Sequence, residues 1–176
     1  MKIDKEYKVL YTQDEIEKRI KELADQITKD YKDKNLFVVG ILKGAAPFMM
    51  ELVKFIDNDS LTMDFMSVSS YGNGDTSTGV VRLIKDLDTP LEGKDVLIVE
   101  DIIDTGNTMK YLKDLFNSRN PLSLKTVALF DKPKRREVDL KGDYIGFTID
   151  DKFIFGFGLD YEERYRQIPY VLEVLK

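Results

Sequence analysis

The chain has 176 residues and a formal net charge of −5, from 27 basic and 32 acidic side chains. From the length we expect one domain, residues 1–176. The mixed charges argue against a disordered chain. They also argue against a protein that binds nucleic acid through bulk positive charge. The longest apolar runs are far shorter than the roughly 20 residues that span a bilayer. The N-terminus lacks the apolar stretch of a signal peptide. We therefore expect a cytoplasmic protein that contacts neither membranes nor nucleic acid.

The sequence contains neither cysteine nor histidine. This composition excludes disulfides, thiolate nucleophiles, zinc sites built from Cys or His, and every catalytic triad in which histidine is the base. A general acid or base must therefore be Asp, Glu, Lys or Tyr. A bound metal must be a hard cation with oxygen ligands, such as Mg²⁺ or Ca²⁺.

The first half of the chain alternates predicted helices and strands. Thr12 and Glu15 have the spacing of a capping box, and the apolar residues that follow at helical steps predict an amphipathic helix of about 16 residues. Residues 36–42 form a continuous apolar run, which is typical of a strand buried on both faces. Residues 44–56 predict a loop that leads into a helix, residues 61–69 a strand, and the small, polar residues 70–79 a mobile loop.

The second half continues the same alternation. We predict strands at residues 80–85, 96–100, 124–130 and 144–149, and a helix at residues 105–117 with Thr105 or Asn107 as its cap. This order indicates an α/β fold, a doubly wound and mostly parallel sheet with helices on both faces. Ligands of such sheets bind beyond the carboxyl ends of the strands. We therefore expect the site just after Leu42, Val99 and Phe130.

Polar residues are concentrated directly after Val99. Three carboxylates in five positions repel one another, so sugar hydroxyls, a metal ion or a basic side chain should compensate them. Backbone N–H groups, a glycine and threonine hydroxyls at the start of a helix can hold a phosphate. The combination suits a sugar with vicinal hydroxyls and a 5-phosphate; the alternative is an acidic loop with a capped helix. The residues are Glu100, Asp101, Asp104, Thr105, Gly106 and Thr108.

Residues 96–108, VLIVEDIIDTGNT, resemble the phosphoribosyl-pyrophosphate (PRPP) signature of the type I phosphoribosyltransferases. Residues 152–161, KFIFGFGLDY, resemble the bacterial hypoxanthine-guanine branch of that family. The resemblance covers nearly the whole chain. It implies the type I phosphoribosyltransferase fold, with a small hood formed by the N- and C-terminal segments. It also implies a purine-salvage enzyme that needs Mg²⁺ and forms homodimers or homotetramers.

The implied reaction transfers 5-phosphoribosyl from PRPP to hypoxanthine, guanine or both, giving IMP or GMP and pyrophosphate. By the same resemblance, Glu100 and Asp101 hold the ribose hydroxyls, directly or through Mg²⁺, and Asp104 faces a purine ring nitrogen as general acid/base. The 5-phosphate is held by Thr105, Gly106, Asn107 and Thr108.

The resemblance also assigns the pyrophosphate and lid residues. Lys43 and Gly44 match the pyrophosphate loop, in which a cis peptide bond before the lysine is typical of the family. Arg166 matches the residue that clamps pyrophosphate as a fork. Ser70 and Tyr71 match the start of a flexible lid that keeps water from a sugar cation. Without the resemblance, Lys43 would be taken as a solvated residue after a strand, and residues 70–79 could equally be a lid or an ordinary hairpin tip.

The purine side is implied in the same way. Lys132 donates a hydrogen bond to the oxygen at position six of the purine, which selects 6-oxopurines over adenine. Phe153 stacks on the base, the backbone of Ile154 faces its exocyclic group, and Asp160 takes Mg²⁺ mostly through water. One departure from the family pattern is Asp150, where a proline is expected.

Several alternatives stay open. Lys132 could belong to a solvated basic run with residues 134–136, and the phenylalanines of residues 153–157 could be core. The chain could be another enzyme of the same family, for xanthine, adenine or orotate. It could be a PRPP-sensing regulator that binds RNA or DNA, which should show a basic face. Finally, it could be a structural α/β domain without activity.

Overall fold

The computed structural model describes residues 5–70 and 81–175, whose strands form a six-stranded sheet and a three-stranded sheet. Among these residues, no helix has both the length and the apolar character that a membrane span requires. The elements in chain order are β1 Tyr7–Tyr11, α1 Gln13–Asp30, β2 Leu36–Leu42, α2 Ala45–Val53, β3 Thr62–Ser70, β4 Val81–Lys85, β5 Asp95–Ile103, α3 Asn107–Asn117, β6 Ser123–Asp131, a 3-10 turn at Pro133–Arg135, β7 Tyr144–Thr148, β8 Ile154–Phe155 and β9 Val171–Val174.

The six-stranded sheet has the order β4-β3-β2-β5-β6-β7. All its neighbouring strands are parallel except β4, which pairs antiparallel with β3 at one edge. Successive side chains of β2 enter two separate cores: Val38 packs with residues of α1 and α2, whereas Phe37 and Val39 pack with residues of α3. Because side chains alternate across a strand, the helices cover both faces of the sheet, as predicted.

Helix α1 begins as its sequence predicts. The Thr12 hydroxyl accepts a hydrogen bond from the Glu15 N–H at 3.3 Å, and the Glu15 carboxylate accepts one from the Thr12 N–H at 2.8 Å. This reciprocal capping box satisfies backbone donors that the first turn leaves free. The helix then runs to Asp30, and its buried face consists of Ile16, Ile20, Leu23, Ala24 and Ile27.

The three-stranded sheet is the hood, and it joins the two ends of the chain. Strand β1 pairs antiparallel with β9, from Tyr7 opposite Val174, and β9 pairs antiparallel with β8. Val171 of β9 and Ile154 of β8 belong to the same hydrophobic core as α1 and α2. The hood therefore packs onto the large sheet rather than standing apart from it.

Two element boundaries correct the predictions. Strand β5 continues to Ile103 because its pairing with β6 continues to Ile103 opposite Asp131. Helix α3 begins at Asn107 with Gly106 at the cap position, so the assignment of Thr105 or Asn107 to that position is wrong. The Thr105 hydroxyl nevertheless accepts a hydrogen bond from the Asn107 N–H at 3.4 Å. Gly106 has φ +88°. This left-handed conformation suits glycine and turns the chain sharply from strand into helix.

Candidate active site

The acidic pair Glu100 and Asp101 lies on β5, near its carboxyl end. Burial, together with the neighbouring Asp101 charge, raises the pKa of Glu100 well above its ordinary value. Burial also raises the pKa of Asp101 to about 6, although a hydrogen bond from the Ile102 N–H at 2.7 Å and the charge of Arg166 oppose that rise. Ionisation of these two carboxyl groups is therefore unfavourable, and hydroxyl donors or a bound cation would make it more favourable.

The loop after β2 lies directly against this pair. The peptide bond between Leu42 and Lys43 is cis, as the resemblance implies. Gly44 follows, and the space that a Cβ atom would occupy there is filled by the carboxylate of Asp101. The side chain of Lys43 forms an exposed ion pair with Glu163 at 2.8 Å. The structure thus brings the predicted pyrophosphate loop and the predicted ribose residues together.

Arg166 lies in the C-terminal segment beside the same loop. One terminal nitrogen donates to the Gly158 carbonyl at 2.8 Å, and the other lies 2.8 Å from Asp160 and 3.4 Å from Glu163. A Cβ atom on Gly158 would lie 2.0 Å from the Gly44 carbonyl oxygen. The tail is therefore held against the loop that carries Lys43, which places the two predicted pyrophosphate cations near each other.

Glu163 is a residue of this region that the sequence analysis missed. It contacts both Lys43 and Arg166, and these two cations lower the pKa of its carboxyl, with Lys43 the larger cause. No local pattern marks it, because Lys43 is 120 positions away in the chain. Its neighbour Asp160, a predicted metal ligand, is likewise engaged by Arg166.

The turn after β5 borders a cavity of about 190 Å³. Its lining includes three of the four predicted phosphate residues, Thr105, Gly106 and Thr108. The side chain of Asn107 instead donates to Glu137 at 2.7 Å, and the Glu137 N–H donates to the Thr105 carbonyl at 2.9 Å. The Asn107 side chain therefore links the turn to Glu137, whereas the other three residues line the space that a phosphate would need.

Asp104 also lines this cavity, and basic residues that follow β6 surround it. Its Oδ1 lies 3.0 Å from Nε of Arg135, and Arg136 donates to its backbone carbonyl while pairing with Asp131. Lys132 is 6% exposed. Burial lowers the pKa of Lys132, and the charge of Asp104 opposes that shift. The interpretation of Lys132 as part of a solvated run is therefore wrong.

The three phenylalanines of the tail have different surroundings. Phe153 is 56% exposed and meets the ring of Tyr161 edge to face, with ring centres 5.7 Å apart. Phe155 and Phe157 are buried, and Ile154 is buried in β8. Phe153 therefore has a free ring surface that could stack on a base, and the two others belong to the core.

Comparisons with known proteins place this site in a family. The family model described as "Phosphoribosyl transferase domain" matches residues 6–162. The chain belongs to this family. The predicted resemblance is thereby confirmed, and the parallel sheet with its hood is the phosphoribosyltransferase fold.

Several relatives of this phosphoribosyltransferase are named. A hypoxanthine-guanine phosphoribosyltransferase of Bacillus subtilis is 53% identical over 164 residues, which cover 93% of this chain and 91% of that protein. A crystal structure of a hypoxanthine phosphoribosyltransferase from Staphylococcus aureus has a TM-score of 0.91 and 51% identity, covering 96% of this chain and 91% of that one. A Trypanosoma cruzi hypoxanthine phosphoribosyl transferase structure has 39% identity and a TM-score of 0.91, covering 99% and 94%.

The carboxylates of this phosphoribosyltransferase suit a Mg²⁺ ion that is bound partly by the protein and partly by the substrate. Within residues 5–70 and 81–175, no group of three acidic side chains forms a complete cation site. Mg²⁺ commonly binds one or two carboxylates and completes its shell with water and substrate phosphate oxygens. The acidic pair, whose pKa values are raised mainly by burial, matches this mode because a cation would stabilise its ionised form. Asp160 could supply a further oxygen ligand once its ion pair with Arg166 is broken.

The predicted lid is described only at its base. Ser70 ends β3, and its backbone pairs with Val81 of β4. Tyr71 and the rest of the predicted loop, through residue 79, lie outside the described residues.

Proposed function

We propose that this phosphoribosyltransferase transfers the 5-phosphoribosyl group of PRPP to hypoxanthine or guanine and releases pyrophosphate. One observation carries the proposal: Asp104 lines the same cavity as the phosphate turn and also lies within the electrostatic reach of the buried Lys132. A ribose-phosphate side and a purine side therefore meet at one carboxylate. The names of the relatives support the same reaction.

On the ribose side, Glu100 and Asp101 would accept hydrogen bonds from the two ribose hydroxyls. Backbone N–H groups at the start of α3, with the hydroxyls of Thr105 and Thr108, would hold the 5-phosphate. Gly106 keeps this turn compact, since a Cβ atom there would lie 2.8 Å from Arg136 and 2.9 Å from Val138. These contacts would fix the sugar while its anomeric carbon reacts, which lowers the barrier through positioning.

On the leaving-group side, Lys43 and Arg166 would exchange their present carboxylate partners for the oxygens of pyrophosphate. When bound, Mg²⁺ would add positive charge at the departing pyrophosphate and offset the acidic pair. As the bond from the anomeric carbon to pyrophosphate breaks, the ring oxygen would share the developing positive charge of the sugar. Fixed charges in a site shielded from water act on such a transition state without reorganising.

On the purine side, Phe153 would stack on the base and Lys132 would donate to the oxygen at position six. An amino group at that position cannot accept the bond, so adenine would be disfavoured. We propose that the backbone of Ile154 faces the exocyclic group of the base. A ring nitrogen of the purine would form the new bond to the sugar while Asp104 takes the proton that the purine loses.

We further propose that residues 1–176 act as one domain, that the protein works in the cytoplasm, and that it forms homodimers or homotetramers. The shared core of hood and sheet supports the first point. Met50 on α2 and Met63 on β3 are exposed apolar side chains, which a second copy could cover. Light scattering coupled to size exclusion should give two or four times the mass of the chain, and a monomer would contradict the assembly.

The reaction is tested with purified protein, PRPP and Mg²⁺, with hypoxanthine, guanine, xanthine, adenine and orotate offered separately. We expect nucleotide from hypoxanthine or guanine, and loss of product when a chelator removes the metal. Product from adenine or orotate alone would contradict the purine assignment. Absence of product with every base, while PRPP still binds, would contradict the reaction and favour a PRPP-binding regulator, which an RNA or DNA shift assay would then reveal.

A further inference from the structure

The two oxygens of the Asp104 carboxylate have different surroundings. Oδ1 is fully buried and lies 3.0 Å from Nε of Arg135, in an ion pair rather than an aligned hydrogen bond. The side chain as a whole is nonetheless 38% exposed, and it lines the cavity beside the phosphate turn. The exposed part of this side chain therefore excludes Oδ1, the oxygen that faces Arg135, and leaves Oδ2 as the carboxylate oxygen that a ligand can reach.

Arg135 is itself fixed from two directions. Its backbone N–H donates to the Lys132 carbonyl at 3.0 Å, which closes the 3-10 turn that follows Lys132. One terminal nitrogen of its guanidinium donates to Asp151 at 3.3 Å. The guanidinium thus bridges Asp104, after β5, and Asp151, two residues before Phe153. The turn locates the backbone of Arg135 and Asp151 orients its guanidinium, so this guanidinium is placed to hold the Asp104 carboxylate.

The neighbouring cations do not share this contact. Arg136 donates to the backbone carbonyl of Asp104 and pairs with the carboxylate of Asp131. Lys134, on the same turn as Arg135, pairs with Asp150 at 2.7 Å. Lys132 is near enough for the charge of Asp104 to raise its pKa against the larger effect of burial. Among the residues that the structure describes, Arg135 is therefore the cation that meets the Asp104 carboxylate directly.

We propose that Arg135 is a positioning residue for the transfer reaction. It holds Oδ1 of Asp104, so that Oδ2 faces the cavity at the point where the purine loses its proton. The proposal rests on the proposed function, in which Asp104 is the general acid/base. A carboxylate that must take a proton during bond formation needs a fixed orientation, and loss of that orientation slows turnover more than it weakens substrate binding.

The first test compares Arg135→Gln with Arg135→Lys, and uses Lys134→Gln as the matched control from the same turn. We expect Arg135→Gln to lower kcat by about tenfold or more, which is part of the roughly 10²–10⁴-fold that a general acid or base contributes, with the KM for PRPP nearly unchanged. Arg135→Lys keeps the charge and should recover part of kcat, which also guards against loss of folding in the glutamine variant. Lys134→Gln should behave as wild type. Equal kcat values for the two glutamine variants would overturn the proposal.

The second test is a double-mutant cycle with Asp104→Asn. If Arg135 acts through Asp104, adding Arg135→Gln to Asp104→Asn should cost little further turnover, because the group that it positions is already disabled. Losses that multiply would show that Arg135 acts elsewhere and would overturn the proposal. The wild-type protein separates the two hypotheses: if it forms no nucleotide, the proposed function fails, whereas an active wild type with an unchanged Arg135→Gln refutes the positioning role alone.

Discussion

Gly44 and Asp101 occupy adjoining space: a Cβ atom on Gly44 would lie 1.6 Å from Oδ2 of Asp101. The contact joins the loop after β2 to the acidic pair on β5, two elements that belong to different proposed subsites. Gly44 has φ −64°, a conformation open to every residue. The need for glycine here is therefore steric rather than conformational, and it concerns the position of one carboxylate.

Gly44→Ala should impair the site more than the fold. Because interiors are close-packed, the added methyl group must displace the Asp101 carboxylate. A displacement of about 1 Å at a positioning group can cost on the order of a hundredfold in rate, so we expect kcat/KM for PRPP to fall at least tenfold. Steady-state kinetics with PRPP as the varied substrate, together with a urea unfolding curve, measure the two effects.

Gly93→Ala is the matched control. Gly93 has φ +74° and nothing within 4 Å of its would-be Cβ atom, so the substitution adds backbone strain without crowding a neighbour. It should lower the free energy of unfolding by about 1–2 kcal/mol and leave the kinetics unchanged. Wild-type kinetics in Gly44→Ala would contradict the proposed role of the Gly44–Asp101 contact.

The raised pKa of Asp101, about 6, predicts a pH dependence of stability. The folded protein keeps this proton to a higher pH than the unfolded chain does, so the free energy of unfolding falls as the pH rises through the window from about 4 to 6. Asp101→Asn removes that titration. Since Asp101 keeps some contact with solvent, we expect the variant to be about 1 kcal/mol more stable than wild type at pH 7.5, and inactive.

Urea denaturation at pH 4 and pH 7.5 measures this difference. The exposed Asp59 supplies the control, because Asp59→Asn removes a carboxylate outside the site and should leave activity as in wild type. If Asp101→Asn is less stable than wild type at pH 7.5, the carboxylate stabilises the fold. The interpretation that it destabilises the fold until a cation or ligand binds is then wrong.

The elements that the sequence predicts well are those whose apolar pattern or capping residues lie within the element itself. Residues 36–42 form a strand with the predicted bounds because all but the last side chain are buried, which gives a continuous apolar run. Helix α1 follows from its capping box and its apolar spacing. The order of strands and helices then fixes a parallel sheet, and with it the edge at which the site lies.

The hood strands and Glu163 depend on distant partners. Strand β1 has mostly exposed residues, and it is a strand because Tyr7 pairs with Val174 at the other end of the chain. The contact of Glu163 with Lys43 has the same origin. The start of α3 differs from the prediction for another reason: the residue at the cap position is Gly106, in a left-handed conformation, and rules based on side-chain oxygens favour its neighbours Thr105 and Asn107.

Lys132→Met should relax the choice of base. Methionine has nearly the length of lysine and can fill the same buried position, but it donates no hydrogen bond to the oxygen at position six. We expect kcat/KM for hypoxanthine to fall by about ten- to a hundredfold, the worth of one charged hydrogen bond, while the low activity with adenine does not fall. Rates with the two bases, measured side by side, give the selectivity ratio.

The control for Lys132→Met is Lys134→Met, two positions along the same turn. Lys134 is exposed and pairs with Asp150, so its loss should leave both rates as in wild type. An equal loss with hypoxanthine and adenine, accompanied by a lower melting temperature, would mean that the buried lysine serves the fold and not the choice of base.

Phe153→Ala and Phe155→Ala should have opposite consequences, although the two residues are two positions apart. Phe153 is exposed and meets Tyr161 at its edge, whereas Phe155 is 0% exposed and contacts the rings of Tyr7, Tyr161 and Tyr165. Removing Phe153 should raise the KM for hypoxanthine about tenfold, because base–aromatic stacking is worth about 1–3 kcal/mol. Its effect on unfolding should stay within about 0.5 kcal/mol, as for most surface substitutions.

Phe155→Ala should instead lower the free energy of unfolding by about 3–5 kcal/mol, the usual cost of removing a fully buried phenylalanine. The fraction that remains folded should keep the wild-type KM for hypoxanthine, because the Phe155 ring does not reach solvent. Initial rates with hypoxanthine varied at saturating PRPP, paired with urea unfolding, separate the two variants. A Phe153→Ala protein with unchanged KM would remove Phe153 from the purine site and leave Lys132 as its main recognition element.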